Sequence, residues 1–559
     1  MGRRILLVPS SPTPNGDLHV GHLAGPYVAM DICKRAFALR GIEAYSIFGT
    51  AWHQTQVALK ARQLAKSFYE TAEMYTDEII QTLSATGIHP DVFLCPARAG
   101  SFIELARDIF RSLLVRGEIV PMTRPAQYCV HCARYLFQAF VVGCCPHCGS
   151  PEATGTDCEA CARYHDDSDL AEPRCALCGS MAVQRPVQRF YLRLEPFRKL
   201  LTKYFESVSM SVPLHRFVET VLAGPLPDVA VSHVADFGVE LGVDGFEDQR
   251  LYSSFELAGR FLAGVKQLTS RLAYPGDWRD FLEGGGIQTV FFFGFDNAFE
   301  RCFIFPVVLA AYTRNAVRLP QALIMNHFYL LSGAKFSTMR GHAVWARDLI
   351  SRSSSDAVRF YVAATRPEVK ETDFRLEDFE RTVRTELVGG WQGWLEELDG
   401  RLQRWFGGIV PEPRAWDVAA REFFQKIEWA VTTVQEAYRP SAFSSQRAIQ
   451  SLSALVDSAR RFGHATMKQG IGARQRDLIP TRMALELLAA RALAIMAGPI
   501  MPNFSAELLE ALGDNQPSGQ NWGKFPSWVM PNQRIDALGR AYFSLPKIEM
   551  PTVEVHGER

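Results

Sequence analysis

Neither charge sign is in excess in this chain: 60 Lys and Arg stand against 60 Asp and Glu, a formal net charge of zero. Proteins that wrap nucleic acid neutralise phosphates with surplus Lys and Arg, so the balance argues against extensive RNA contact. Long apolar runs are missing too. "FIFPVVLAAY" is among the longest, short of the ~18 residues of a membrane helix, which excludes a spanning segment of that kind. The opening MGRRILLVPSSP offers only the apolar run Ile5 to Val8 before Pro9, too little for a secretory core, and Leu6 spoils a myristoylation signal. No repeat or low-complexity tract is present; "SRSSSD" at Ser351 is too short to count. What remains is a cytoplasmic protein, in which the twelve cysteines stay reduced and paired ones signal metal.

At ~100 to 200 residues per domain, the 559-residue chain, 47% hydrophobic and 21% charged, implies about three or four domains. Residues 1–115 alternate strand-like stretches ("ILLV", "YSIFG") with helical ones ("TAEMYTDEIIQTLSATG"), the pattern of βα units on a parallel sheet. Residues 116–230 open with cysteine pairs, Gly, Pro and Asp and read as an insertion. Strand-like runs return in 231–325, completing the sheet, and 326–375 hold a Gly- and Lys-containing loop. From 376 to 559 the chain reads mainly as a helical bundle, with spaced apolar positions in "REFFQKIEWAVTTVQEAY".

Four Cys-x-x-Cys pairs crowd into the insertion. Two such pairs supply the four thiolates of a tetrahedral zinc site. The tightest grouping puts Cys145, Cys148, Cys158 and Cys161 on one ion and leaves Cys129, Cys132, Cys175 and Cys178 for a second, nested outside it. With no open position for water, both sites are structural, holding an insertion that has no apolar core of its own. Cys144 and His147 remain spare candidates.

Between a strand-like run and a helical one lies "PSSPTPNGDLHVGHLAG". Backbone amides at a helix start favour anionic oxygen, Gly21 permits close approach, and His19 and His22 can donate hydrogen bonds to a phosphate in its transition state. A second loop, "LLSGAKFSTMRG", carries Lys335, a cation suited to the charge that develops when pyrophosphate leaves.

Together these features resemble a class I aminoacyl-tRNA synthetase, most closely the methionyl-tRNA synthetase family. "PNGDLHVGH" is similar to its HIGH loop and "GAKFSTMRG" to its KMSKS loop. The four-pair insertion between them and "DFRLEDFERTV" at the start of a terminal helical domain also fit, so the resemblance spans essentially the whole chain. It implies an α/β fold: a Rossmann-like catalytic domain in two halves, a connective insertion with zinc knuckles, a KMSKS-like and stem-contact region, and an anticodon-binding-like helical bundle. It further implies an enzyme using ATP, Mg2+ and two structural Zn2+, in which a carboxylate attacks the α-phosphate to give an acyl-adenylate. By position, Asn15, His19, Gly21 and His22 belong to the phosphate loop and Gly294 and Asp296 to the ribose site. Lys335, Ser337 and Arg340 belong to the pyrophosphate loop.

Departures cluster at the amino-acid pocket. The family's Gly-Thr-Asp-Glu-His-Gly reads Gly49-Thr50-Ala51-Trp52-His53-Gln54 here, so the Asp that grips methionine's ammonium is Ala51. Tyr252 stands at a family Trp, Ser254 at an Asp and Glu256 at a Pro; Ser11 and Thr13 replace Leu and Tyr. Asn297, Glu300 and Arg301 share one helical face where the family carries Ile, Phe and His. A thioether pocket is apolar, and these residues predict a polar one, with Arg301 on a carboxylate and Glu256 or Glu300 on an amine. Thr338 occupies the position of the second loop lysine. In the helical domain Gly393, Glu397 and Met467 stand where the family reads the methionine anticodon, and a glutamate there repels RNA.

The expectation that follows is a ligase activating a polar amino acid other than methionine. It passes the acyl group to a small-molecule or protein acceptor instead of tRNA-Met, as synthetase-like domains do in hydrazine formation. No cupin-like histidine cluster is visible, so a cupin-type partner would be a separate chain. Two alternatives stay open: a divergent methionyl-tRNA synthetase, and a catalytically silent binding paralogue.

Overall fold

The computed structural model describes residues 4–95, 100–156, 158–283, 286–336, 338, 341–468, 477–514 and 527–547. Runs such as ILLV and TVFFFG, apolar at nearly every position, become strands covered on both faces, as parallel sheets require. Arg4–Pro9 (β1), Glu43–Gly49 (β2), Val92–Leu94 (β3), Ser209–Met210 (β4), Ile287–Gly294 (β5) and Ala322–Asn326 (β6) form one sheet in the order β4-β6-β5-β1-β2-β3. Every pairing in it is parallel. The expected α/β class is therefore what the chain adopts. Strand β4 falls inside the span 116–230 read as insertion; two residues carry no periodicity by which sequence can find them.

Alternation along β1 divides the core. Ile5 and Leu7 pack on the side of Val28–Leu39 (α1), and that core runs on into the helical bundle. Leu6 and Val8 face the other way, onto Gly100–Val115 (α2), Glu256–Arg271 (α3) and Phe305–Thr313 (α4).

The insertion is a long antiparallel ribbon, Ile119–Cys129 against Val183–Arg193, with the cysteine segments strung along and beyond its far end. Past the parallel sheet, Ser355–Ala364 (α5) leads to the bundle of Gly393–Phe406 (α6), Val418–Ala437 (α7), Ser445–Lys468 (α8), Leu478–Ala497 (α9) and Pro502–Ala511 (α10). Helix α9 is apolar almost all round and sits at the centre, as such a helix must.

Arg359 on α5 joins the two regions. Fully buried, it meets Asp31 of α1 at 2.6 Å and donates to the carbonyls of Ile500 (2.6 Å) and Pro499 (2.8 Å) between α9 and α10. Among the described residues no helix is long and apolar enough to cross a membrane.

Candidate active site

Strands β1, β5 and β6 end at one edge of the sheet, the place where open α/β sheets bind ligands. After β1 the chain turns through Ser10 to Leu18 into a single helical turn, Val20–His22, capped by His19. The capping is reciprocal. The His22 amide donates to His19 Nδ1 (3.3 Å) and the His19 amide to His22 Nδ1 (3.2 Å).

Since each Nδ1 accepts, the proton of each neutral ring lies on Nε2, leaving two Nε2–H donors from two residues lining one cavity. Burial, helped by the neighbouring ring, holds His19 well below its ordinary pKa, and burial brings His22 down to about 4. Both imidazoles are uncharged at neutral pH. The rings stack 3.7 Å apart.

The lysine loop closes over this pair. Ala334–Lys335 pairs with Tyr329–Leu331, and Gly333, with φ of 81°, turns the chain while its amide donates to Asp373. Phe336 stacks on His19 at 4.6 Å. The Lys335 ammonium lies 3.6 Å from the centre of the Phe328 ring and 2.9 Å from a Glu159 carboxylate oxygen. A side chain at Gly21 would press on the His19 ring at 3.0 Å and on Phe336 at 3.1 Å, so any larger residue would crowd the rings where the two loops meet.

The shared cavity has a volume of about 340 Å³. Of the residues expected from sequence, His19, Gly21, His22, Gly294, Asp296 and Lys335, the set expected at a nucleotide, all line it. Ser11, Thr13, Tyr252, Ser254, Asn297 and Glu300 line it as well. Burial raises the Asp296 carboxyl above its usual range, and nearby Glu159 adds to the shift.

Asn15, Ala51, Glu256 and Arg301 do not line the cavity. Glu256 is buried in the wall, 2.8 Å from His53 Nδ1 and 3.6 Å from Arg260. Arg301 is buried over the Phe291 ring and reaches Ser10 Oγ at 3.5 Å, with Nε and Nη1 lacking hydrogen-bond partners. Glu300, at the lining, is hydrogen-bonded by Ser254. Ser337 and Arg340 lie outside the described residues. Sequence reasoning missed Glu159, Phe328 and Phe336, whose places depend on how distant segments meet and leave no local signal.

The cysteine pairs group as spacing predicted: Cys129, Cys132, Cys175 and Cys178 in one cluster, Cys145, Cys148, Cys158 and Cys161 in the other. Four ligands about 2.3 Å from an ion at tetrahedral angles stand about 3.8 Å apart. Observed sulfur separations are 3.5 and 3.9 Å in the first cluster and 3.8 and 3.7 Å in the second. Both sets fit a four-thiolate zinc ion.

In the bundle, Trp391 and Trp394 are buried core. Glu397 is not a bare anion: Arg460 meets it at 2.6 Å and His464 at 2.8 Å.

Residues 6–397 match the family described as tRNA synthetases class I (M). A methionine–tRNA ligase of Thermomicrobium roseum is 29% identical over 504 residues, 90% of this chain and 85% of that protein. The methionine–tRNA ligase of Methanopyrus kandleri is 28% identical over 519 residues, 91% of this chain and 75% of that protein. In fold, the chain is like Mycobacterium tuberculosis methionyl-tRNA synthetase in complex with methionyl-adenylate, with a TM-score of 0.76 at 17% identity over 95% of this chain and 98% of that one.

These relatives overturn the expected polar amino acid, the non-tRNA acceptor and the cupin-type partner, since methionine–tRNA ligases match along nine-tenths of the chain. The physical reason lies in pairings that a sequence cannot display. Glu256 meets His53 and Arg260 inside the wall, Arg301 stays behind it, and Glu397 is held by Arg460 and His464.

Proposed function

This chain belongs to the class I tRNA synthetases (M), and we propose that it joins methionine to tRNA. It is an ATP-dependent ligase of the aminoacyl-tRNA synthetase kind. In the first step a methionine carboxylate oxygen attacks the α-phosphorus of ATP; the bond to the bridging oxygen breaks and pyrophosphate leaves. In the second, a ribose hydroxyl of the tRNA end attacks the acyl carbon and AMP leaves.

The support is the donor set at the sheet edge. Two neutral imidazoles offer Nε2–H groups without bringing charge that ATP would have to desolvate, and their fixed tautomers make them ready donors for phosphate oxygens as charge builds up. Lys335 supplies the one full positive charge among these, suited to the leaving pyrophosphate. Gly294 leaves room for the ribose, and Asp296 accepts from its hydroxyls. Mg2+ bound to ATP would supply shielding of the phosphate charge.

Methionine's ammonium falls to Glu300. Ala51 offers no carboxylate, and Glu300, fixed by Ser254, is an acid on the cavity lining beside the β1 loop. Tyr252, Pro12 and Tyr27 provide apolar surface for the thioether. The two cysteine clusters each hold one structural zinc.

Pyrophosphate exchange with methionine, followed by charging of tRNA, tests the whole reading; exchange with another amino acid and none with methionine would refute it. The Glu300 assignment predicts that Glu300→Gln raises the methionine KM at least tenfold and leaves the ATP KM within twofold.

A further inference from the structure

Glu159 belongs to the zinc-knuckle insertion, between the ligands Cys158 and Cys161, yet its carboxylate reaches the catalytic cavity and lies 2.9 Å from the Lys335 ammonium. The knuckle is tied to the cavity wall at two more points. Thr156 accepts a hydrogen bond from the Tyr252 hydroxyl at 3.0 Å, and the Gly155 amide donates to the Gln138 carbonyl at 2.9 Å. These ties fix the backbone of the knuckle, and from it the exposed Glu159 side chain reaches Lys335; an acid beside a phosphate site has no role in binding phosphate, which it repels.

We propose that Glu159 is a positioning residue that docks Lys335 across the cavity through an ion pair which the phosphates of MgATP must displace, so that the inner cysteine quartet sets how readily the lysine loop takes up nucleotide. Glu159 and the Phe328 ring together hold the ammonium at the cavity lining. When the phosphates enter, they take over the ammonium, and the carboxylate turns out to solvent, which its exposed position permits. The pair therefore competes with nucleotide in the ground state. The inference rests on the assignment of this cavity to ATP.

The test is calorimetric binding of a non-hydrolysable MgATP analogue to the full chain, with zinc content and melting temperature measured for each variant. Displacing one partly exposed ion pair is worth roughly a two- to fivefold change in affinity. Glu159→Gln is expected to bind the analogue tighter by that factor, and the same substitution in a Lys335→Ala background to change nothing. Equal tightening in both backgrounds would mean only that a negative charge had been removed near phosphates, and would overturn the proposal, as would no tightening in either. Should Glu159→Gln lose zinc or melt early, Glu159→Asp, which keeps the charge and shortens the reach, must shift affinity in the same direction; absence of that shift also overturns the proposal. A wild-type chain that fails to bind the analogue takes down the nucleotide assignment along with it. Binding without any Glu159 effect takes down this inference alone.

Discussion

Phe336 stacks on His19 with ring centres 4.6 Å apart, so the residue after the loop lysine rests on the first histidine of the loop proposed to hold the phosphates. Gly21 leaves the space for that stack. Gly21→Ala is expected to lower kcat/KM for ATP in pyrophosphate exchange ten- to a hundredfold, about 1.4 to 2.7 kcal/mol of transition-state stabilisation. The melting temperature should stay within a few degrees of wild type. Wild-type exchange by this variant would show that the two loops act independently.

The neutral imidazoles give a signed pH dependence. A histidine whose folded pKa is depressed costs nothing above its unfolded value of ~6.5. As pH falls from there towards about 4 the unfolded chain takes up protons that the folded one refuses, and stability declines. Urea midpoints should therefore fall between pH 6.5 and 4, and less steeply in His22→Asn. Exchange activity between pH 7 and 8 should show no inflection from these two rings; an inflection near 7 lost in His22→Asn would contradict their uncharged state at neutral pH.

Arg359 and Asp31 form a buried pair whose dissolution strands a charge. Arg359→Ala is expected to cost about 3 to 5 kcal/mol, read as a large loss in denaturant midpoint. Burial pushes the Asp31 carboxyl up, but Arg359 and Arg35 outweigh it and hold the group below its ordinary range. The stability so gained is present above the unfolded carboxylate pKa and disappears as pH drops through the lowered folded one. An Arg359→Ala variant within 1 kcal/mol of wild type would show that this junction is dispensable.

The cysteine clusters predict two zinc ions per chain by metal analysis, one after Cys145→Ser and one after Cys129→Ser. Because Glu159 and Thr156 belong to the inner knuckle, losing the inner ion is expected to change nucleotide affinity more than losing the outer one. Equal effects from both would separate the knuckle from the cavity.

Legibility followed the range of the interactions involved. The thiolate quartets were readable because chelation imposes spacing within a few residues, and the sheet because strands buried on both faces are apolar at nearly every position. The histidine loop was readable as a strand-to-helix turn because it is continuous. The charged pocket was not. Glu256, Glu300 and Arg301 look alike on paper, and only the folded chain shows that Glu256 turns to His53 and Arg260, that Ser254 holds Glu300 at the lining, and that Arg301 stays behind it. Glu397 misled in the same way, its partners Arg460 and His464 lying a helix away.

Strand β1 leaves the ribosome first, yet it lies inside the sheet, between β2 and β5. One edge can pair as soon as Glu43–Gly49 emerges; the other waits for Ile287–Gly294. At roughly 5 to 20 residues per second, that interval is on the order of tens of seconds. Throughout it, the hydrogen-bonding groups of Ile5 to Val8 stand unpaired on one edge while the insertion and its cysteines are made. The nascent chain thus carries an open sheet edge longer than any fold in which neighbours in sequence pair in turn, and the elongating protein is at its most vulnerable to misassociation before residue 287 appears.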